Sequence, residues 1–145
     1  MDLKDFKHNI KIKVRFSDLD AMRHVNNATY LSYLEEARIA YFKEALNKPI
    51  DVLDFQAVVA RIEIDYKQPI IFGDELEILS RISKIGNKSF DMNHIIVIYR
   101  NLNKFIAAEI VTKLVSYNYE TQTSFPIPAF VKTLIENYEK GDVIL

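Results

Sequence analysis

The sequence predicts an α+β domain in which an antiparallel β-sheet curls around one long helix. Three observations lead to this fold class. One long helical segment is apolar on most of its surface, alternating strand patterns precede and follow it, and no second full helix separates the later strands. A sheet wrapped around the helix would bury it on most sides. A ferredoxin-like fold is the alternative within this class, but it needs a further full helix between the later strands.

The first element is a strand that begins near Ile10. Apolar residues alternate there with Lys11, Lys13 and Arg15, which is the period of a strand with one solvated face. The apolar positions of this strand are Ile10, Ile12, Val14 and Phe16. The run Asp18-Leu19-Asp20 then ends the alternation.

The second element is a helix, predicted from Asn27 to Leu46, because strong helix formers dominate and neither proline nor glycine occurs inside it. Pro49 follows, where a helix does not readily continue. The apolar row is Tyr30, Leu34, Ala37 and Tyr41, widened by Leu31, Ile39, Phe42 and Leu46. Only a narrow polar edge remains, made by Ser32, Glu35, Glu36 and Lys43. Such a helix is expected to be wrapped by other structure.

The rest of the chain predicts four strands in antiparallel succession and a short closing helix. Turn residues separate these segments: Gly73-Asp74, Gly86-Asn87, which suits a tight hairpin, and Asn101-Leu102-Asn103. The strands are predicted at 58–66, 76–85, 90–100 and 105–119, and the amphipathic helix at 130–138.

Length and composition are those of one globular domain covering residues 1–145. The formal net charge of -1 gives no basic face for nucleic acid, and the absence of cysteine excludes disulfides, thiolate metal sites and cysteine nucleophiles. The charged N-terminus lacks the apolar core of a signal peptide, and no apolar run approaches the roughly 20 residues that span a bilayer. We therefore expect a cytoplasmic protein without membrane insertion.

The segment from Arg15 to Tyr30 carries the residues suited to chemistry. It combines Asp18, Asp20, His24 and two asparagines in a loop that leads into a helix N-terminus. The free N–H groups and dipole of that terminus can stabilise an oxyanion, and a nearby carboxylate can attack a carbonyl or activate water.

A purely structural role is the alternative for the same residues. Asp18, Asp20, Asn26 and Asn27 are common loop and N-cap residues, and a lone histidine such as His24 is more often hydrogen-bonded than catalytic. On the helix, Glu35, Glu36 and Arg38 fit a solvated or paired edge. No histidine cluster has metal-ligand spacing, and neither a Gly-rich phosphate loop nor a nucleophile elbow occurs, so we predict no metal and no cofactor.

A family resemblance favours the functional reading. The run Asp18-x-Asp20-x-x-x-His24-Val25-Asn26-Asn27, followed by Tyr30 and Leu34-Glu35-Glu36-Ala37-Arg38, closely resembles the hot-dog acyl-CoA thioesterases of the 4-hydroxybenzoyl-CoA thioesterase family. Weaker matches follow downstream at Tyr66-x-x-Pro69, Gly73-Asp74 and Lys88-Ser89-Phe90. The resemblance as a whole covers the chain from about Lys11 to Tyr119. The His-Val-Asn-Asn form is similar to the long-chain acyl-CoA branch and shared with acyl-carrier-protein thioesterases.

The resemblance implies a hot-dog fold and a role for each matched residue. Asp20 takes the place of the catalytic aspartate, and the backbone N–H of Asn27, in the first helical turn, that of the group polarising the thioester carbonyl. The expected substrate-binding residues are His24, Asn26, Tyr30, Lys88 and Ser89. The lysine–serine pair matches a segment near the CoA phosphates, where a lysine serves as a point charge.

The implied reaction is hydrolysis of an acyl-CoA to acid and thiol by a homodimer or homotetramer with its active site between subunits. Acyl-carrier-protein thioester hydrolysis, a hot-dog dehydratase or isomerase, and a non-catalytic acyl-CoA-binding module are the alternatives. Two departures bear on the substrate: Met22-Arg23 stand where small residues often follow the aspartate, and Gly86-Asn87 replace the arginines of the aromatic-CoA enzyme. The replacement of the arginines points away from 4-hydroxybenzoyl-CoA, and the His-Val-Asn-Asn form points towards aliphatic chains.

Overall fold

The structure, a computed structural model, describes residues 1–45, 47, 56–140 and 143–145. Its elements are β1 (His8–Lys13), α1 (Thr29–Ala45), β2 (Ala57–Tyr66), β3 (Glu75–Ile85), β4 (Ser89–Arg100), β5 (Asn103–Asn118), β6 (Thr123–Ser124) and α2 (Ala129–Glu139), with 3-10 turns at Leu3–Asp5 and Phe16–Asp18. The predicted helix end at Leu46 and the following Pro49 lie outside the described residues. No helix in the described ranges is long and apolar enough to cross a bilayer.

The α+β prediction is confirmed: an antiparallel sheet with strand order β1-β3-β4-β5-β2 packs against one long helix, and β6 pairs with β5. The predicted antiparallel succession holds for β3, β4 and β5 but is wrong for β2, which pairs with β5. The reason is that β1 and β4 occupy both edges of β3, so that β2 cannot pair with β3 and instead pairs with the other edge of β5.

The first strand is shorter than predicted. It ends at Lys13, and Phe16, expected on its apolar face, lies in a 3-10 turn with 78% of its surface exposed. The turn forms because the Asp18 carboxylate accepts a hydrogen bond from the Arg15 backbone, which draws the chain out of the sheet.

Helix α1 buries the predicted row of Tyr30, Leu34, Ala37 and Tyr41 against the sheet. The prediction of a helix buried on most sides is only partly right, because Leu31 and Ile39 are 41% and 61% exposed. A single sheet covers one side of the helix, so these two apolar side chains remain on its outer side.

A polar row crosses the middle of the sheet. His8 pairs with Ser80, and Ser80 pairs with His94, so that the three side chains share one face across β1, β3 and β4. All three are buried, and Ser80 Oγ lies 2.8 Å from His94 Nδ1. The apolar residues on either side of this row form two separate clusters, one around Leu34 and the other around Tyr41.

Candidate active site

The loop between β1 and α1 is built around Asp18, which is only 3% exposed. Its Oδ2 accepts hydrogen bonds from Arg15 N and from the Tyr33 hydroxyl at 2.9 and 2.7 Å, and Arg15 Nη2 donates to Oδ1 at 2.9 Å. Burial alone would raise the pKa of this carboxyl, but the hydrogen bonds outweigh it and hold the pKa below its usual value. Asp18 is therefore a buried, charged anchor for the loop.

Beyond this anchor the chain forms a small hairpin that presents Asp20. Leu19 bridges to Val25, Asp20 N donates to the His24 carbonyl at 3.0 Å, and Arg23 N donates to the Asp20 carbonyl at 2.9 Å. Arg23 has a φ of 62°, the left-handed conformation usual at the end of such a three-residue loop. The Asp20 side chain is exposed.

The Asp20 carboxylate has one committed oxygen and one free oxygen. Oδ1 accepts a hydrogen bond from Met22 N at 2.9 Å, whereas Oδ2 has no hydrogen-bond partner in the described part of the chain. His24 is exposed, and its backbone also bridges to Ile71. The predicted catalytic aspartate and the predicted substrate-binding histidine thus lie together at the tip of this hairpin.

The entry into α1 is controlled by Asn26. Its Oδ1 accepts a hydrogen bond from Ala28 N at 2.8 Å and its carbonyl accepts one from Thr29 N at 2.9 Å, while its own N–H donates to the Asp18 carbonyl. The helix consequently begins at Thr29 rather than at Asn27, which corrects the predicted boundary. Asn26 therefore organises the turn into the helix.

Asn27 was predicted in the first turn of α1, but it lies in the turn that precedes the helix. The residue is exposed, and its backbone N–H donates to no acceptor within the described ranges. Its carbonyl accepts a hydrogen bond from the Tyr66 hydroxyl at 3.1 Å, which holds the following peptide, between Asn27 and Ala28. The peptide that carries this N–H is held by the Asn26 carbonyl, which accepts from Thr29 N. A free N–H so placed beside a helix N-terminus suits the stabilisation of an oxyanion.

Tyr30, predicted to contact substrate, lies in the core beneath the loop and is 3% exposed. Its ring packs edge-on against Tyr66, with the ring centroids 4.9 Å apart. Burial raises the pKa of its hydroxyl to about 12, so the group stays protonated at neutral pH. In one chain, Tyr30 supports the loop rather than lining its surface.

A pocket of about 630 Å³ opens beside Asp20. Its lining combines Asp20 and Arg23 with four apolar side chains, Phe16, Leu19, Ile71 and Phe72. The rings of Phe16 and Phe72 meet edge-to-face with their centroids 6.0 Å apart. Sequence reasoning missed both phenylalanines: one was assigned to a strand, and the other precedes Gly73 in a segment that showed only a turn.

Lys88 and Ser89 lie at the other end of the sheet. They follow β3, whose first residue lies near the Asp20 hairpin, and this strand is roughly 33 Å long. Lys88 is exposed in the hairpin between β3 and β4, where Gly86 N donates to the Ser89 carbonyl at 2.7 Å. A single chain therefore does not bring Lys88 or Ser89 to Asp20.

The geometry around Asp20 suits attack on a carbonyl. A carboxylate with a free oxygen can act as nucleophile or activate a water, and the Asn27 N–H can receive the developing negative charge. Glu35 and Glu36 are exposed on α1, away from the pocket lining. Among the described residues, no three His, Asp or Glu side chains are grouped so as to hold a metal ion.

Comparison with known proteins gives consistent matches. The profile of the thioesterase-like superfamily matches residues 14–135. The long-chain acyl-CoA thioesterase FadM of Escherichia coli (strain K12) is 29% identical over 131 residues, covering 90% of this chain and 98% of FadM. The uncharacterized protein YsmA of Bacillus subtilis (strain 168) is 36% identical over 85 residues, which span 59% of this chain and 57% of YsmA.

Among solved structures, a thioesterase from Thermus thermophilus, complexed with coenzyme A and zinc, is similar with a TM-score of 0.82 and 34% identity. The similarity covers 94% of this chain and 97% of that protein.

Proposed function

Because the chain belongs to the thioesterase-like superfamily and is thereby a thioester hydrolase of the hot-dog fold, we propose that it hydrolyses acyl-CoA thioesters to the free acid and CoA. The observation that carries this proposal is the exposed Asp20 carboxylate, with its free Oδ2, at the mouth of an apolar pocket beside the start of α1. The similarity to FadM and to a thioesterase complexed with coenzyme A supports CoA esters as the substrates.

In the proposed reaction, Asp20 attacks the thioester carbonyl or takes a proton from the attacking water. The carbonyl oxygen gains negative charge and accepts a hydrogen bond from the Asn27 N–H, where the helix dipole adds partial positive charge. Collapse of the tetrahedral intermediate breaks the C–S bond, and the thiolate leaves. If water is the nucleophile, the acid forms at this step and the proton taken by Asp20 passes to the thiolate. If Asp20 is the nucleophile, the acyl group is left on its carboxylate as an anhydride, which a water then hydrolyses to release the acid, giving one proton to the thiolate and restoring the Asp20 carboxylate. His24 and Asn26 hold the hairpin and the turn in register, and Tyr30 supports them from the core.

Lys88 and Ser89 are proposed to bind the CoA phosphates of a substrate whose acyl carbon lies at Asp20 of the partner chain. β2 is an edge strand: its end at Tyr66 lies beside Asn27, and its start at Ala57 pairs with Ser116, whose N–H donates to the Lys88 carbonyl. Antiparallel pairing of two β2 edges therefore brings the Asp20 end of one sheet beside the Lys88 end of the other.

A homodimer formed in this way would also cover two features that are exposed in the single chain. Within the described residues the outer edge of β2 has no partner strand, which makes it a ready site for another strand, and Val59 on β2 is 42% exposed. The apolar Leu31 and Ile39 on α1 lack a cover within the described part of the chain. A twofold partner would supply one.

The test is thiol release from a panel of acyl-CoAs, from acetyl to palmitoyl together with benzoyl, by the wild-type protein and Asp20→Asn. We expect hydrolysis by the wild type and a loss of about 10²–10⁴-fold in kcat for the variant. Glu36→Gln, which neutralises an exposed carboxylate on α1, is the matched control and should retain activity. A folded Asp20→Asn protein with near-normal turnover would rule out the assigned role.

A further inference from the structure

We propose that the pocket beside Asp20 binds the acyl group of the substrate, and that Phe16 and Phe72 make the site selective for uncharged, apolar acyl chains. The inference rests on the proposed function and specifies its substrate class. It concerns side chains that the motif does not include.

Position determines what can occupy the pocket. Asp20 is part of its lining, and the thioester carbon must lie beside that carboxylate before reaction, at about 3–3.5 Å for direct attack or with one water between them. Two groups flank this carbon, the acyl chain and the pantetheine arm, and one of them must enter the adjacent pocket. The choice therefore depends on the chemistry of the walls.

The walls favour the acyl chain. Four of the six lining side chains are apolar, whereas the pantetheine arm contains two amides that need hydrogen-bond partners when removed from water. Phe16 and Phe72 are 78% and 57% exposed, so they have apolar surface available for a ligand to cover. Each methylene that such a surface removes from water strengthens binding about fourfold.

The pocket is also held in shape before substrate arrives. Phe16 lies in the 3-10 turn fastened by the buried Asp18. Phe72 lies in a turn closed by Asp74, whose Oδ2 accepts a hydrogen bond from Ile71 N at 2.9 Å, and whose two carboxylate oxygens bind the Arg100 guanidinium at 2.7 and 2.6 Å. The two rings thus lie on two turns that are each held by their own hydrogen bonds. This lowers the conformational entropy that is lost when a ligand binds between them.

The charges of the pocket do not favour an acidic acyl group. Arg23 would attract a terminal carboxylate, but Asp20 in the same lining would repel it. Among the described residues, the other side chains that line the pocket are apolar and cannot hold such a group. Uncharged chains avoid this repulsion and keep the apolar contacts.

The experiment measures kcat/KM for acetyl-, butyryl-, hexanoyl- and succinyl-CoA with the wild type, Phe16→Ala and Phe72→Ala. We expect the wild type to prefer hexanoyl over acetyl by at least about tenfold and butyryl over succinyl, and each variant to reduce the hexanoyl-to-acetyl ratio by about fivefold or more. Leu102→Ala, which removes a fully exposed apolar side chain from the β4–β5 turn, is the control and should keep the wild-type ratio.

Three outcomes would overturn the inference. In the first, both phenylalanine variants keep the wild-type kcat/KM for every ester. In the second, they lose kcat/KM equally for all chain lengths, which would place the pantetheine arm in the pocket, and in the third the wild type prefers succinyl-CoA over butyryl-CoA. Failure of the proposed function is distinct, because the wild type would then release no thiol from any ester. Both phenylalanines are exposed, so circular dichroism and thermal melting of the variants should match the wild type.

Discussion

The Tyr33 hydroxyl donates a 2.7 Å hydrogen bond to the buried carboxylate of Asp18, and this contact joins α1 to the loop that carries Asp20. Asp18 also accepts three hydrogen bonds from Arg15, so the helix and the end of β1 meet at one carboxylate. The first aspartate of the motif therefore positions the second.

Tyr33→Phe should lower the free energy of unfolding by about 2 kcal/mol, because a hydrogen bond to a buried charged group is lost. Tyr99→Phe is the matched control: its hydroxyl donates to Glu77 at 2.8 Å in a less buried setting, and we expect a loss below about 1 kcal/mol. Urea unfolding measures both. Equal losses would show that the Asp18 contact contributes no more than a surface one.

The sequence predicted the strands, the buried row of α1 and the chemical segment well, because periodicity and capping residues act locally. It did not show that Asp18 is buried while Asp20 is exposed, since the burial of Asp18 depends on Tyr33 in the following helix. Nor could it show that Phe72 contacts Phe16, because that contact depends on the path of the chain between β2 and β3. The distance of Lys88 from Asp20 likewise arises because β3 runs from one end of the sheet to the other between them, and a sequence motif does not show the direction of a strand.

His94 makes stability depend on pH. Burial lowers the pKa of its imidazole from 6.5 to about 3, and the nearby Arg38 and His8 add to the effect. The unfolded chain therefore binds this proton near pH 6.5 and the folded protein only near pH 3, so acid favours unfolding. We expect about 2 kcal/mol of stability to be lost between pH 7 and 5.

Urea unfolding at several pH values tests this expectation with His94→Gln, which should show a flatter profile between pH 7 and 5. His24→Gln, the same change at an exposed histidine, should keep the wild-type slope. Both proteins should still lose stability at lower pH, where Asp18, whose pKa is held below its usual value, takes up its proton. The same slope in all three proteins would contradict the assignment.

Arg23 adopts a left-handed conformation, with a φ of 62°, that costs a non-glycine residue about 1 kcal/mol. Arg23→Gly should therefore raise the free energy of unfolding by up to about 1 kcal/mol, less the entropy that glycine adds to the unfolded chain. Ala21→Gly, in the same hairpin loop but without a positive φ, should lower it instead. Thermal melting of the two variants decides, and a loss in both would mean that the guanidinium contributes more than the backbone strain removes.

The proposed dimer predicts complementation between two impaired chains. If Asp20 of one subunit works with Lys88 of the other, a heterodimer of Asp20→Asn and Lys88→Glu chains contains one site with both groups intact and one site with neither. Such a heterodimer, isolated through two different affinity tags, should recover about half of the wild-type acyl-CoA hydrolysis, although each homodimer is impaired. If both groups acted within one chain, the heterodimer would contain no intact site, because each chain lacks one group. Its activity would then stay at the level of the impaired homodimers, which would exclude the shared site while leaving the catalytic role of Asp20 intact.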